Sequence, residues 1–301
     1  MRAELPIHFP EKIRGASRFP LLRSMISAAL LAWAEGIEPL MPMVRGRTID
    51  AASHKKGTDF FTEADTASER IIVDALTAEY GRDHFRVFGE ESGTYVGNLD
   101  AEMTIRIDPI DGTEPFKFGK PTWSIMIGAY VGRGASERQV VSVVYWPEYY
   151  REIVFSFEGA GVYKADLRTG SVVEFPPIET QDTLNDIIVS YWKHSSIRER
   201  GRIDEILLAL ELAGGRVRTI TPAEVKEALE TRGRRAMILD GDFTLVDFIS
   251  YSTLGKLGYL VRGWDGAQHS IDDAALSNRK LVIVPPGRAG ETILEIVRRY
   301  A

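Results

Sequence analysis

The stretch IRIDPIDGTE, residues 105–114, sets Asp108 and Asp111 three positions apart at the end of an apolar alternation, Ile105 and Ile107, that reads as a buried strand. Regular strand geometry would send side chains three apart to opposite faces. Pro109 interrupts the hydrogen-bond ladder and Asp111-Gly112 turns the chain, so the two carboxylates can converge on one point. Convergent carboxylates repel one another unless a proton or a cation lies between them. A divalent metal relieves that repulsion, and the backbone oxygens of Pro109 and Ile110 suit a hard cation such as Mg2+. The competing reading is a strand-end turn in which an aspartate caps its own backbone, a common use of Asp-Gly. A second acidic pair favours the metal. FRVFGEESG, residues 85–93, sets Glu90 and Glu91 just past another apolar strand and a glycine, the kind of strand end at which ligand sites form.

Composition sets the outer bounds. A chain of 301 residues, 44% hydrophobic, can bury a real core as one large α/β domain or two ordinary ones. Its formal charge of -6 provides no global field for a nucleic-acid polymer or an anionic membrane, though a local basic pocket for a phosphorylated substrate is compatible with it. The absence of cysteine excludes disulfides, thiolate catalysis and Cys-ligated metal centres, and the five histidines contain no HExxH spacing. MRAELPIHFPEKIR lacks the apolar run of a secretory signal, and Met25–Ala34 is about half the length a bilayer requires, so no membrane association and a cytoplasmic location are expected.

Periodicity predicts a helix over 20–36 with Leu22, Ile26, Leu30 and Trp33 on one face, closed by Gly36. A second helix is predicted to start with Thr62 as N-cap, bury Ala67, Ile71, Ala75 and Ala78, and end at Gly81. The β-like pieces FRVFG, MTIRID, WSIMIGAYV, QVVSVVYWP and REIVFSF follow as close neighbours, which favours antiparallel hairpins. Beyond FPPIETQDT the pattern alternates: strand DIIVS, helix GRIDEILLALELAGG, strand RVRTI, helix PAEVKEALETRG with Pro222 in its first turn, and strand RRAMILDG. This predicts an α/β chain in two parts, 1–165 and 166–301.

DFFTEAD (59–65), FGEES (88–92) and IDPIDGT (107–113), in this order, resemble the inositol monophosphatase superfamily of metal-dependent, lithium-sensitive phosphatases. The resemblance is strong over residues 55–165, VVYWP and EGAGVY included, and looser elsewhere. It implies the layered αβαβα sugar-phosphatase fold, α/β with α+β character, with the site in the crevice between two sheet-containing parts. It implies an Mg2+-dependent phosphomonoesterase using two or three Mg2+, with Mn2+ as substitute, and a homodimer. Glu90, Asp108 and Asp111 would be metal ligands together with the Ile110 carbonyl, and Glu91 would hold metal-bound water or a weaker metal. Asp65 would pair with Thr113 beside the attacking water, and the Gly112 and Thr113 amides would grip phosphate oxygens. Asp65, Glu90 and Thr113 are thereby the expected catalytic residues. A helix-start role for Asp65, three residues after Thr62, stands beside this one. Lys55 or Lys56 would balance the acids, or both lie in a solvated loop.

In the distal part the family carries a last metal-binding aspartate where a long helix starts. RGWDGAQHS offers Asp265 literally, but the order of elements in RRAMILDGDFTLVDFISYSTLGKLGYLVRGWDG assigns the role to Asp247, with DGDFTLV read as a strand and FISYSTLGKLG as the helix. That register sets Asp240 where some relatives receive substrate hydroxyls, which suits a polyol or sugar ring; Asp242 would shape the turn. Thr221-Pro222-Ala223 and Glu114-Pro115 depart from the family pattern and bear on substrate choice. The expected substrate is an inositol or sugar monophosphate. The alternatives are a 3'-phosphonucleotide, stacked by Tyr191, Trp192 and His194, and fructose bisphosphate, held by Arg216, Arg218 and Lys226. A non-catalytic member of the family is the rival class.

Overall fold

Contacts within the chain gather it into two units, Met1–Glu174 and Phe175–Ala301. A computed structural model describes residues 5–46, 58–93, 95–148, 150–191, 197–220, 224–240, 245–269 and 280–300. The boundary expected at 165/166 would cut through a strand that is paired on both sides.

The first unit opens with helices α1 (Glu11–Arg14) and α2 (Phe19–Leu31). A π-helical turn, Ala32–Ile37, and a short 3-10 turn lead into α3 (Met41–Gly46). α4 (Thr58–Tyr80) follows, then β1 (Phe85–Gly89), β2 (Tyr95–Gly97), β3 (Met103–Asp111), the short α5 (Thr113–Lys117), β4 (Ser124–Val131), β5 (Arg138–Trp146), β6 (Glu152–Phe157), β7 (Val162–Asp166) and β8 (Val172–Glu174). The strands form one sheet in the order β2-β1-β3-β4-β5-β6-β7-β8. Its pairs are antiparallel, as the hairpin spacing predicts, except that β1 runs parallel to β3. Period-2 alternation puts Ile105, Ile107, Ile125, Ile127, Val141 and Val143 into one apolar core with Leu22, Met25 and Ile26 of α2 and Ile72 and Leu76 of α4.

Two helix predictions are corrected. Gly36 does not close the first helix: it lies inside the π-helical turn, where a β-carbon would come within 2.7 Å of Ser68 Oγ and 3.3 Å of Ser68 Cα on α4. Its role is close helix approach. α4 already includes Thr58–Phe61, so Thr62 is inside the helix and Asp65 lies beyond its first turn. Its buried stripe is Ala64, Ser68, Ile72 and Leu76, while Ala67, Ile71 and Ala75 are half-buried and Ala78 is exposed. The polar Ser68 disguises that stripe in the sequence. Gly81 ends the helix as predicted, with φ 84° and its amide on the Thr77 carbonyl at 2.8 Å.

The second unit contains β9 (Ile188–Tyr191), α6 (Ile197–Leu212), β10 (Arg216–Thr219), α7 (Glu224–Glu230), β11 (Arg235–Asp240), α8 (Phe248–Leu257), β12 (Leu260–Gly263), β13 (Lys280–Val284) and α9 (Arg288–Arg299). Its sheet has the order β10-β9-β11-β13-β12. β9 is parallel to β10 and β11, and β13 is antiparallel to β11 and β12. Val189, Ile206, Leu210, Ile238, Val282 and Ile293 form its core. The strand expected across DGDFTLV does not form where the structure describes it: β11 is described to Asp240, and residues 245–247 turn rather than extend. Asp242 and Phe243 lie outside the described residues. Among the described residues no helix is long and apolar enough to cross a membrane.

The Gly36 contact has a measurable weight. Gly36→Val should lower the unfolding free energy by about 1–3 kcal/mol, the usual range for forcing extra methyls into a packed contact. Ser68→Ala, which removes the nearest atom, should recover part of that loss in a urea-denaturation double-mutant cycle; strict additivity would show that the two residues do not share the contact.

Candidate active site

Parallel pairing aligns Phe85 with Met103 and Gly89 with Ile107, so β1 and β3 end side by side at the same edge of the sheet. The chain continues past β1 along its neighbour, with the Glu90 amide donating to the Ile107 carbonyl at 3.0 Å. Glu90 and Glu91 therefore leave the sheet beside Asp108 and Asp111. On β4 the partner of Asp108 is Met126 and that of Asp111 is Ser124, with a register shift between them. Met126 and Ser124 are two apart and share a face, so the irregularity brings Asp108 and Asp111 to one face as well. This is the convergence that Pro109 foreshadows, achieved by a bulge within the strand.

Both aspartates are held. Buried Asp108 accepts the Ile110 amide on Oδ1 at 3.1 Å, the self-capping turn of the bland reading. Asp111 Oδ2 accepts from Ser124 Oγ at 2.9 Å, a partner that the sequence does not announce. Gly112 is left-handed, φ 91°, and turns the chain into α5. Thr113 Oγ1 donates to the Ile110 carbonyl at 3.3 Å, within reach of a side chain that starts the helix three residues on.

Asp65 is 4% exposed on α4. Burial, then the charges of Glu91 and Glu90, push its carboxyl up to about 8, against an opposing pull from Lys117. Glu91 is raised as well, by desolvation and by the Glu69 charge, with Lys117 again opposing. Glu69, one helical turn beyond Asp65, accepts the Glu91 amide at 3.0 Å and the Ser92 amide at 3.3 Å. Sequence reasoning passed over Glu69, although its i+4 spacing from Asp65 puts both on one helix face.

The second-unit candidates are placed within their own sheet. Asp240 is buried at the end of β11 and pairs with Lys280 of β13 at 3.3 Å, an ion pair that accounts for its burial. Lys280 also lies over the Trp264 ring, 4.7 Å from its centroid. Asp247 stands at the N-cap of α8 and makes no side-chain cap bond. Asp265 is in the turn after β12, where its Oδ1 accepts the Ala267 amide at 2.9 Å. Arg218 pairs with Glu224 and Glu227, and Lys226 with Glu230, so two cations named for a second phosphate are neutralised by α7 itself. Tyr191 packs against the core of its unit. Lys55, Lys56, Trp192, His194 and Thr221-Pro222-Ala223 lie outside the described residues.

Among the described residues no three or more of His, Asp and Glu are placed so that they could hold a metal ion as they stand. The donor set is nonetheless of the kind a hard divalent cation takes: it is all oxygen, and Asp65 resists ionisation through its burial first and its negative neighbours second.

Residues 21–248 match the inositol monophosphatase family. The chain belongs to that family. Inositol-1-monophosphatase ImpA of Mycolicibacterium smegmatis is 29% identical over 265 residues, covering 86% of this chain and 87% of that one. Nus factor SuhB of Salmonella typhimurium is 36% identical over 96 residues, 32% of this chain and 33% of that one. The crystal structure of extragenic suppressor protein suhB from Bartonella henselae has the same fold, with TM-score 0.71 at 19% identity, covering 93% and 99% of the two chains. Membership supports a phosphatase as the class of this inositol monophosphatase relative.

The raised Asp65 carboxyl makes a signed expectation. A folded-state value above the ordinary 3.8 stabilises the metal-free fold below that pH, and the contribution is lost as pH rises to about 8. The stability of the metal-free chain minus that of Asp65→Asn should therefore fall between those limits and then level. A difference that is flat with pH would remove the coupling.

Proposed function

We propose that this chain is an Mg2+-dependent phosphomonoesterase acting on an inositol or sugar monophosphate by direct attack of water on phosphorus. The observation that supports it best is the meeting of two acidic strand ends with a buried aspartate. Glu90 and Glu91 follow β1, Asp108 and Asp111 close β3 beside it, and Asp65 is coupled to the first pair. Glu90, Asp108 and Asp111, with the Ile110 carbonyl, would hold the metal, and Glu91 a weaker one; Asp247 is the further ligand that family membership implies. Bound divalent cations supply charge neutralisation for the phosphate and a lowered pKa for water.

The chain's own residues do the rest. Asp65 orients the attacking water and takes up its proton, on a helix whose packing fixes it. The Gly112 and Thr113 amides stand at the start of α5, where helix amides lack intrahelical acceptors, and bind phosphate oxygens. Thr113, tied to the Ile110 carbonyl, keeps that turn and the proposed metal-facing carbonyl in one rigid loop.

The name of the Mycolicibacterium smegmatis relative, matched along most of both chains, supports an inositol phosphate as substrate. The neutralised Arg218 and Lys226 weaken the bisphosphate alternative. The SuhB likeness keeps a non-catalytic role as the rival, but so many carboxylates at one edge are costly to keep for structure alone. Family membership also carries the expectation of a homodimer and of inhibition by Li+.

Phosphate release from inositol 1-phosphate, titrated with Mg2+, tests the reading. Asp111→Asn should cost about a hundredfold or more in turnover with an unchanged far-UV circular dichroism spectrum, as expected when a ligand of a cation that supplies several kcal/mol of charge stabilisation is lost. Asp247→Asn should raise the Mg2+ requirement and Asp265→Asn should not. Near-normal turnover of Asp111→Asn at ordinary Mg2+ would refute the assignment.

Asp240 is checked separately. Its pairing with Lys280 implies that Asp240→Asn lowers the melting temperature with KM near the wild-type value. A raised KM at an unchanged melting temperature would instead return Asp240 to the substrate.

A further inference from the structure

Glu69 is 8% exposed and divides its carboxylate between two consecutive backbone amides, Oε2 to Glu91 at 3.0 Å and Oε1 to Ser92 at 3.3 Å. The rest of the turn closes on itself, Ser92 Oγ donating to the Gly89 carbonyl at 3.3 Å and the Gly93 amide to the same oxygen at 3.1 Å. A β-carbon at Gly89 would overlap the Glu69 carboxylate, so helix and turn approach as closely as glycine permits. The choice of residue is telling. An anion here raises the cost of ionising both Asp65 and Glu91. A glutamine would spare that cost but offers one acceptor, and its NH2 group would face an N–H. The carboxylate supplies one acceptor to each of two adjacent amides.

We propose that Glu69 is a positioning residue for the metal site: it clamps the Glu90–Glu91 turn to the helix that carries Asp65, so that carboxylates from α4 and from the end of β1 meet a cation as one rigid set. This rests on the metal-dependent reading of the cluster. Groups that orient ligands without touching the ion typically matter about tenfold to a hundredfold in metal affinity.

The test uses the full chain with Mn2+ as the probe, followed by electron paramagnetic resonance, and two variants that leave every proposed ligand in place. Glu69→Gln removes one acceptor, and Gly89→Ala pushes the carboxylate off the turn. Each should weaken Mn2+ binding about tenfold or more. Each should raise the Mg2+ concentration for half-maximal turnover more than it lowers kcat at saturating Mg2+. Amide exchange at Glu91 and Ser92 should accelerate while the amides of α4 stay protected, and the double variant should be little worse than the poorer single one, because both break the same clamp. Wild-type Mn2+ affinity in folded Glu69→Gln, with only a lowered melting temperature, would overturn the proposal by making Glu69 a packing residue. Unchanged exchange at Glu91 and Ser92 would overturn the clamp itself. A wild-type chain that takes up no Mn2+ overturns the metal reading, a result distinct from the others because it appears before any variant is made.

Discussion

The parallel pairing of β1 with β3 is the constraint on which the site depends. In a sheet whose other pairs are antiparallel, this one pair alone makes two successive acidic motifs leave the same edge. Had β1 run the other way, Glu90 and Glu91 would emerge a strand's length from Asp108 and Asp111. The crossover from β1 back to a parallel neighbour is made through β2 and the loop after it, and β2 pairs antiparallel with β1 on the outside. The bulge between Asp108 and Asp111 then completes what topology begins, since an unbroken strand would turn one of them into the opposite face.

Gathering carboxylates works against folding, and the structure shows how the opposition is contained. Asp65 and Glu69 interrupt the apolar side of α4, and each is handled differently. Glu69 is satisfied by two amides, whereas Asp65 has its charge disfavoured by burial and by its neighbours. Lys117 on α5 offsets part of the local negative potential felt by Asp65 and Glu91. A site arranged in this way is easier to assemble neutral than charged, and a cation changes that balance.

Features governed by short-range periodicity were legible. The alternation around Ile105 and Ile107, the hairpin series from β3 to β6 and the α/β alternation after residue 180 all follow from local pattern. Features governed by pairing were not. Nothing local distinguishes a parallel β1 from an antiparallel one, and Asp240 acquires its Lys280 partner across a strand pairing distant in sequence. The α4 face was misjudged because polar Ser68 occupies a core position, and Arg218 and Lys226 seemed available because their glutamate partners on α7 were read only as helix formers. Within the candidate site, the motifs pointed to the carboxylates but not to Ser124 and Glu69, which contribute bonds to residues many positions away.

The close approach of Gly36 to Ser68 reaches further than packing. Ser68 directly precedes Glu69 on α4, so the π-helical turn presses against the helix at the level of the residue that grips the acidic turn. The two positions therefore share one constraint: a larger side chain at either must be answered at the other, or the helix face that presents Glu69 to the acidic turn shifts with it.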